Sequence, residues 1–155
     1  MRIIFICVLT KNILLRKICI KTILLLQHRM SGIIKVPISI GELCDKYTIL
    51  QIKREKICDE IKLSKIECEI NYLQPMIDDI DISLNIINDL KEVNTTLWGI
   101  EDNIRVKESR KQYDEEFVEL ARSVYFTNDI RFDIKNKINS LYNSVIFEVK
   151  SYEKY

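Results

Sequence analysis

The stretch that most constrains this chain is VPISIGELCDKYTIL, residues 36–50, because it obliges a helix to start at one place. Ser39 is placed to accept from the backbone N–H of Glu42, while the Glu42 side chain reaches back to the N–H of Ser39, the reciprocal arrangement of a capping box. Ile38 before the cap and Leu43 after it have the spacing of a hydrophobic staple. Pro37 holds Val36 extended, so no helix enters from upstream. All three signals place the start at Ser39.

Beyond that start the chain holds only 3 Gly and 2 Pro in 155 residues, with 30% charged side chains and an apolar fraction rich in Ile and Leu. Such a composition predicts one mostly helical domain rather than a sandwich or barrel. Three long helices are expected, at about 40–73, 82–110 and 115–145. The first follows Leu43, Tyr47, Leu50, Ile57 and Ile61, then Leu63, Ile66, Ile70 and Leu73, and Pro75 is expected to end it. The second follows Leu84 and Ile87, then Ile86, Leu90, Val93, Leu97, Ile100 and Ile104. The third opens at Asp114, with Tyr113 and Val118 as a staple, and runs through Phe117, Leu120, Val124, Ile134, Ile138, Leu141 and Val145. Its apolar line jumps across Thr127 and Arg131, so polar side chains take part of the inner face. The expected fold is all-α: an elongated antiparallel three-helix bundle with coiled-coil-like packing, preceded by a short extended arm at residues 33–38. A helical hairpin completed by a swapped partner is the alternative.

Residues 1–29 form a separate region by composition. They carry six basic side chains and no acidic one, leaving 18 basic against 23 acidic residues in the remainder, a net charge of −5. The remainder is therefore not expected to bind nucleic acid through bulk charge. The extension has no uncharged apolar run long enough to span a bilayer and no small-residue cleavage site, although a basic presequence or interfacial anchor stays open. The change of composition at Met30 favours that residue as the true start, with the domain at 30–155. A membrane partner follows only if residues 1–29 are real. Five cysteines (Cys7, Cys19, Cys44, Cys58, Cys68) without a CxxC spacing read as reduced apolar residues of a cytoplasmic protein, in the host cytoplasm if viral. The lone His28 lacks a partner motif. No cofactor, metal or catalytic residue is implied.

The polar residues at helical spacing are the candidates for function. Asp45, Lys46 and Thr48 lie beside the apolar line of the first helix, and the cap accounts for none of them. Trp98, Glu101, Arg105 and Glu108 share one face of the second helix; Arg122, Tyr125 and Asp129 share one face of the third, with Asn128 and Arg131 close by. As structure, these faces form an inter-helix ion-pair layer in which Arg105 and Arg122 bridge carboxylates. As function, Arg105, Arg122 and Arg131 are forked donors for a phosphate or nucleotide-sugar. Glu116, Glu119, Asp129 and Asp133 have the spacing by which some all-α nucleotide pyrophosphatases hold magnesium, a weak signal in so acidic a chain. Gly99, inside a helix beside Trp98, suggests close approach by a neighbouring helix or a partner.

Three blocks carry a family resemblance: VPISIGELCDKYTILQIK (36–53), LWGIEDNIRVKE (97–108) and DEEFVELARSVYFTNDIR (114–131). With them the chain, over about residues 35–155, resembles an uncharacterised family of small bacterial and viral helical proteins, a domain of unknown function. The resemblance implies no established activity. By association alone, its relatives' neighbouring glycosyltransferase genes suggest a link to glycan biosynthesis. The expected function is a non-enzymatic helical scaffold or adaptor that binds another protein, its partner being a second protein or a second copy. A module for an anionic small ligand is the alternative, and a magnesium-dependent pyrophosphatase ranks third.

Overall fold

Ser39 opens the first helix, with its Oγ 3.1 Å from the Glu42 amide. The reciprocal half of the predicted capping box does not form: the Glu42 carboxylate pairs instead with Lys135, at 2.7 Å, across the fold. The structure, a computed structural model, describes residues 32–151. The chain divides between Pro37 and Ile38. Residues 32–37 are exposed and adopt neither helix nor strand. Expectations for residues 1–29, including His28, Cys7 and Cys19, lie outside the described residues.

The described residues from Ile38 onward form four helices and no strand: α1 Ile40–Lys56, α2 Glu60–Ile80, α3 Leu84–Ser109 and α4 Glu115–Leu141. The all-α class therefore holds, but the three-helix count does not. The predicted first helix is two helices. Ile57 turns extended (φ −96°, ψ 129°), and Asp59 caps α2 by accepting from the Lys62 amide at 2.9 Å. Lys53, Arg54 and Lys56 in the last turn of α1 and Glu60 in the first turn of α2 each suit their helix dipole, which makes the break electrostatically favourable. Ile61, expected on the apolar line, is 73% exposed because the line stops at the break.

Pro75 does not end a helix; it lies inside α2, which stops at Asp81 in the left-handed region (φ 53°). Ser83 precedes α3 without a side-chain cap, and its own N–H donates to the Tyr142 hydroxyl at 2.8 Å. Asp114 caps α4 through the Phe117 amide at 3.1 Å, as its position predicts. Tyr113 meets Phe117 edge-to-face at 5.4 Å rather than stapling to Val118, which is 45% exposed. α4 ends at Leu141, and Val145, assigned to its apolar line, is exposed beyond it.

α1 is the central helix. It packs on each of the other three, while α3 and α4 pack on each other and α2 packs on α1 alone. Its neighbours leave little of it exposed: Leu43, Cys44, Tyr47, Leu50 and Ile52 are all buried. Leu43, Cys44, Tyr47 and Leu50 meet Ile66, Ile70 and Ile77 of α2, Ile86, Ile87 and Leu90 of α3, and Ile138 of α4 in one apolar core. Burying such side chains stabilises the fold by about 1.5–3 kcal/mol each.

Close approach at the start of α1 depends on Gly41. A Cβ there would lie 2.5 Å from the Lys135 carbonyl oxygen and 3.0 Å from Asn139 Oδ1. The same approach lets Asn139 Oδ1 accept from the Gly41 amide at 2.7 Å, while Ser144 Oγ accepts from the Ile40 amide at 3.2 Å. The first amides of α1, which no helical carbonyl can reach, are thus satisfied by tertiary contacts.

Candidate functional site

A hydrophobic helix can bury a carboxylate only if the fold brings cations and N–H groups to it. Asp45 of α1 is 1% exposed. Arg131 of α4 donates to it side-on, from Nε to Oδ1 at 2.8 Å and from Nη2 to Oδ2 at 2.5 Å. Asn94 of α3 donates from Nδ2 to Asp45 Oδ1 at 2.8 Å and to Thr48 Oγ1 at 3.0 Å, and the Thr48 hydroxyl donates to the Asp45 backbone carbonyl at 2.9 Å. This polar cluster ties three helices together. The carboxylate holds the Arg131 guanidinium firmly protonated, mainly through the hydrogen bond.

In front of the cluster lies an open cleft of about 530 Å³. Ile49 lines it from α1, and Asn128 and Arg131 from α4. The longest wall is α3, with Asn94, Leu97, Trp98, Glu101, Asp102 and Arg105. Arg105 Nη2 lies 2.9 Å from Glu101 Oε2 one turn earlier on the same helix. Asn128 Oδ1 accepts from Arg131 Nη1 at 3.2 Å, so the guanidinium is braced on two sides.

The candidate residues are thus divided. Trp98, Glu101, Arg105, Asn128 and Arg131 meet at the cleft, and Asp45 and Thr48 lie behind it. Lys46 points elsewhere, to Glu69 of α2 at 2.5 Å. Glu108 accepts from the Tyr113 hydroxyl at 3.2 Å near the α3–α4 turn. Arg122 pairs with Glu119 on its own helix at 3.4 Å, the Tyr125 ring lies tilted against that of Phe126 with centroids 4.6 Å apart, and Asp129 meets Lys150 at 3.2 Å. Neither Arg105 nor Arg122 bridges helices; that place belongs to Arg131. The start of α1 lies against the end of α4, not the end of α3, so the polar strip of α1 reaches α4 directly.

Of the four carboxylates with magnesium-like spacing, Glu116 pairs with Lys107, Glu119 with Arg122 and Asp129 with Lys150. Among the described residues no three side chains of metal-binding type are gathered. Cys44 is buried, and burial first, with Asp45 second, pushes its thiol up to about 12. Cys58 and Cys68 are free and exposed.

Sequence reasoning passed over Asn94, Asp102 and Lys135. Asn94 had a legible signal, since it stands between Leu90 and Leu97 at helical spacing, a polar residue in an apolar line. Lys135 had none, because its partners Glu42 and Glu148, each at 2.7 Å, come from distant segments.

Among the described residues no helix is long and apolar enough to cross a membrane. No curated protein and no solved structure matches the chain. Residues 34–155 match a family of unknown function, and the chain belongs to that family, DUF6165.

Proposed function

We propose that this protein is a small-ligand-binding module whose ligand lies in the α1–α3–α4 cleft and presents an anionic group to Arg131 and Arg105. The observation that supports the reading is the bracing of Arg131. Its Nε, one Nη1 proton and one Nη2 proton are taken by Asn128 and Asp45, which leaves two of its five N–H donors, one on each Nη, for a ligand. A guanidinium already fixed in place loses little freedom on binding, the usual economy of a preorganised site. Trp98 gives the cleft a flat apolar wall suited to a ring or a sugar face. Phosphates and nucleotide-sugars are the anions first suggested by the arginine spacing.

The test is a thermal-shift screen of the full chain against anionic metabolites. A ligand that raises Tm in the parent, and no longer does so in Trp98→Ala and Arg105→Ala, supports the reading. If nothing in the screen raises Tm, the cleft is not a ligand site.

A scaffold or adaptor role is the second reading, favoured by a different observation. From residue 98 to residue 134 no residue of the α3–α4 hairpin is buried, and Val106, Tyr113 and Val118 are exposed there. A two-helix projection with apolar side chains suits docking to another protein or to a second copy. Sedimentation of the parent beside Val106→Asp/Val118→Asp examines it, and an identical monomer in both would remove self-association.

A further inference from the structure

The chemistry of the cleft floor narrows the ligand class. Asn94 is 5% exposed, and both protons of its amide nitrogen are committed, to Asp45 and Thr48. Asp45 only accepts, so the amide cannot be turned round. Its Oδ1 therefore points away from the cluster, and no described donor reaches it. Among the described residues no buried side-chain oxygen lacks a partner, so this oxygen meets solvent, and Asn94 meets solvent at the cleft. An open acceptor thus stands on the same floor as the two uncommitted N–H groups of Arg131.

The charge around that floor is not positive: the carboxylates outnumber the guanidinium groups. Arg105 and Arg131 line the cleft, but so do Glu101 and Asp102, and Asp45 already neutralises Arg131 from behind. Asp102 takes part in no hydrogen bond or ion pair among the described residues, so its charge is uncompensated locally. A dianion entering here would meet no net positive field.

Resting on the small-ligand reading of this cleft, we infer that it takes a small monocarboxylate carrying a hydrogen-bond donor beside its carboxylate, as α-hydroxy acids and zwitterionic α-amino acids do, and turns away di- and polyanions. The carboxylate meets the two free N–H groups of Arg131, and the neighbouring hydroxyl or ammonium donates to Asn94 Oδ1. Glu101 and Asp102 favour an ammonium and repel a second negative charge. Nucleotide-sugars and pyrophosphate are thereby excluded.

Isothermal titration of the full chain with a set of α-hydroxy and α-amino monocarboxylates, and separately with inorganic pyrophosphate, tests the inference. The expected result is saturable binding of at least one monocarboxylate, binding of its deoxy or deamino analogue weaker by roughly tenfold, and no binding of pyrophosphate. Asp102→Asn removes an exposed charge that bonds to nothing, and is expected to strengthen binding of an α-hydroxy monocarboxylate by about three- to tenfold. Pyrophosphate binding as tightly as any monocarboxylate overturns the inference while leaving the cleft a ligand site. No binding of either class by the parent or by Asp102→Asn overturns both.

Discussion

Arg131 and Asp45, 86 residues apart in sequence, meet side-on through two hydrogen bonds of 2.8 and 2.5 Å, and that pair joins the central helix to the wall of the cleft. The Asp45 side chain is 2% exposed and the Arg131 side chain 27%. Removing one partner leaves the other desolvated, which is far more costly than the pair is stabilising. Asp45→Ala is expected to lower unfolding free energy by about 3 kcal/mol, the lower end for a broken buried pair because Arg131 keeps some access to water. Replacing both, as Asp45→Leu/Arg131→Met, is expected to cost less than the sum of the single changes. Urea unfolding of the parent, Asp45→Leu, Arg131→Met and the double variant gives the coupling, and strict additivity would deny the pair its role.

The two helical glycines are expected to respond in opposite directions. Gly41→Ala places a methyl 2.5 Å from a backbone carbonyl of α4, so α1 must shift, at a cost of about 1–3 kcal/mol. Gly99 has nothing within 4 Å of an added Cβ, and Gly99→Ala is expected to stabilise by about 1 kcal/mol through helix propensity. Thermal unfolding of the two variants decides it. Destabilisation by Gly99→Ala would instead mean that a partner helix approaches there, as the sequence had suggested.

Lys135 carries a pH dependence whose sign is fixed by its surroundings. Burial pulls its pKa down, but the hydrogen bonds it donates to Glu148 and Glu42, with the nearby charges of Glu42 and Asp45, outweigh burial and leave it raised above the ordinary 10.5. A raised basic group contributes stability that is fully present below its unfolded value and is lost as pH rises through the folded one. The difference in unfolding free energy between the parent and Lys135→Met is therefore expected to be constant near neutrality and to shrink above about pH 10.5. Because Glu148 lies in the segment after α4, the variant is also expected to increase amide exchange around residues 144–150. Hydrogen exchange by mass spectrometry reports that directly.

Thiol reactivity offers a simple check of the core. With its pKa at about 12 and no exposed surface, Cys44 is expected to resist alkylation at neutral pH, whereas Cys58 and Cys68 label readily. Peptide mapping before and after denaturation separates them. Native labelling of Cys44 at the rate of Cys58 would show that α1 is not held as a central helix.

Much of the helical framework was legible, and the reason lies in short-range chemistry. Ser39 and Asp114 cap from their own side chains within three residues, so the starts of α1 and α4 can be read locally. The same logic was available at Asp59, but the apolar line through Ile57 and Ile61 concealed it. Pro75 was misleading because its cost within a helix was weighed without the burial of Ile70 and Ile77 on either side of it. At the cleft, Arg131 stood out as a polar residue on an inner face, and Trp98, Glu101 and Arg105 shared a face because helical spacing requires it. Nothing local could say that Arg122 and Asp129, equally well spaced, turn elsewhere.

The sequence by itself determined the all-helical class, the cap at Ser39, the cap at Asp114 and the polar strip of Asp45 and Thr48 beside an apolar line. Those depend on residues three or four apart, the range over which a helix organises its own side chains. Only the tertiary structure decided what that strip is for. A buried carboxylate is tolerable only with specific partners, and Asn94 and Arg131 are supplied by two other helices whose placement follows from packing around Leu90 and Ile138. The start at Ser39 is a local fact. The position of Asp45 two turns later, at the junction of three helices and behind an open cleft, is a fact of the whole fold.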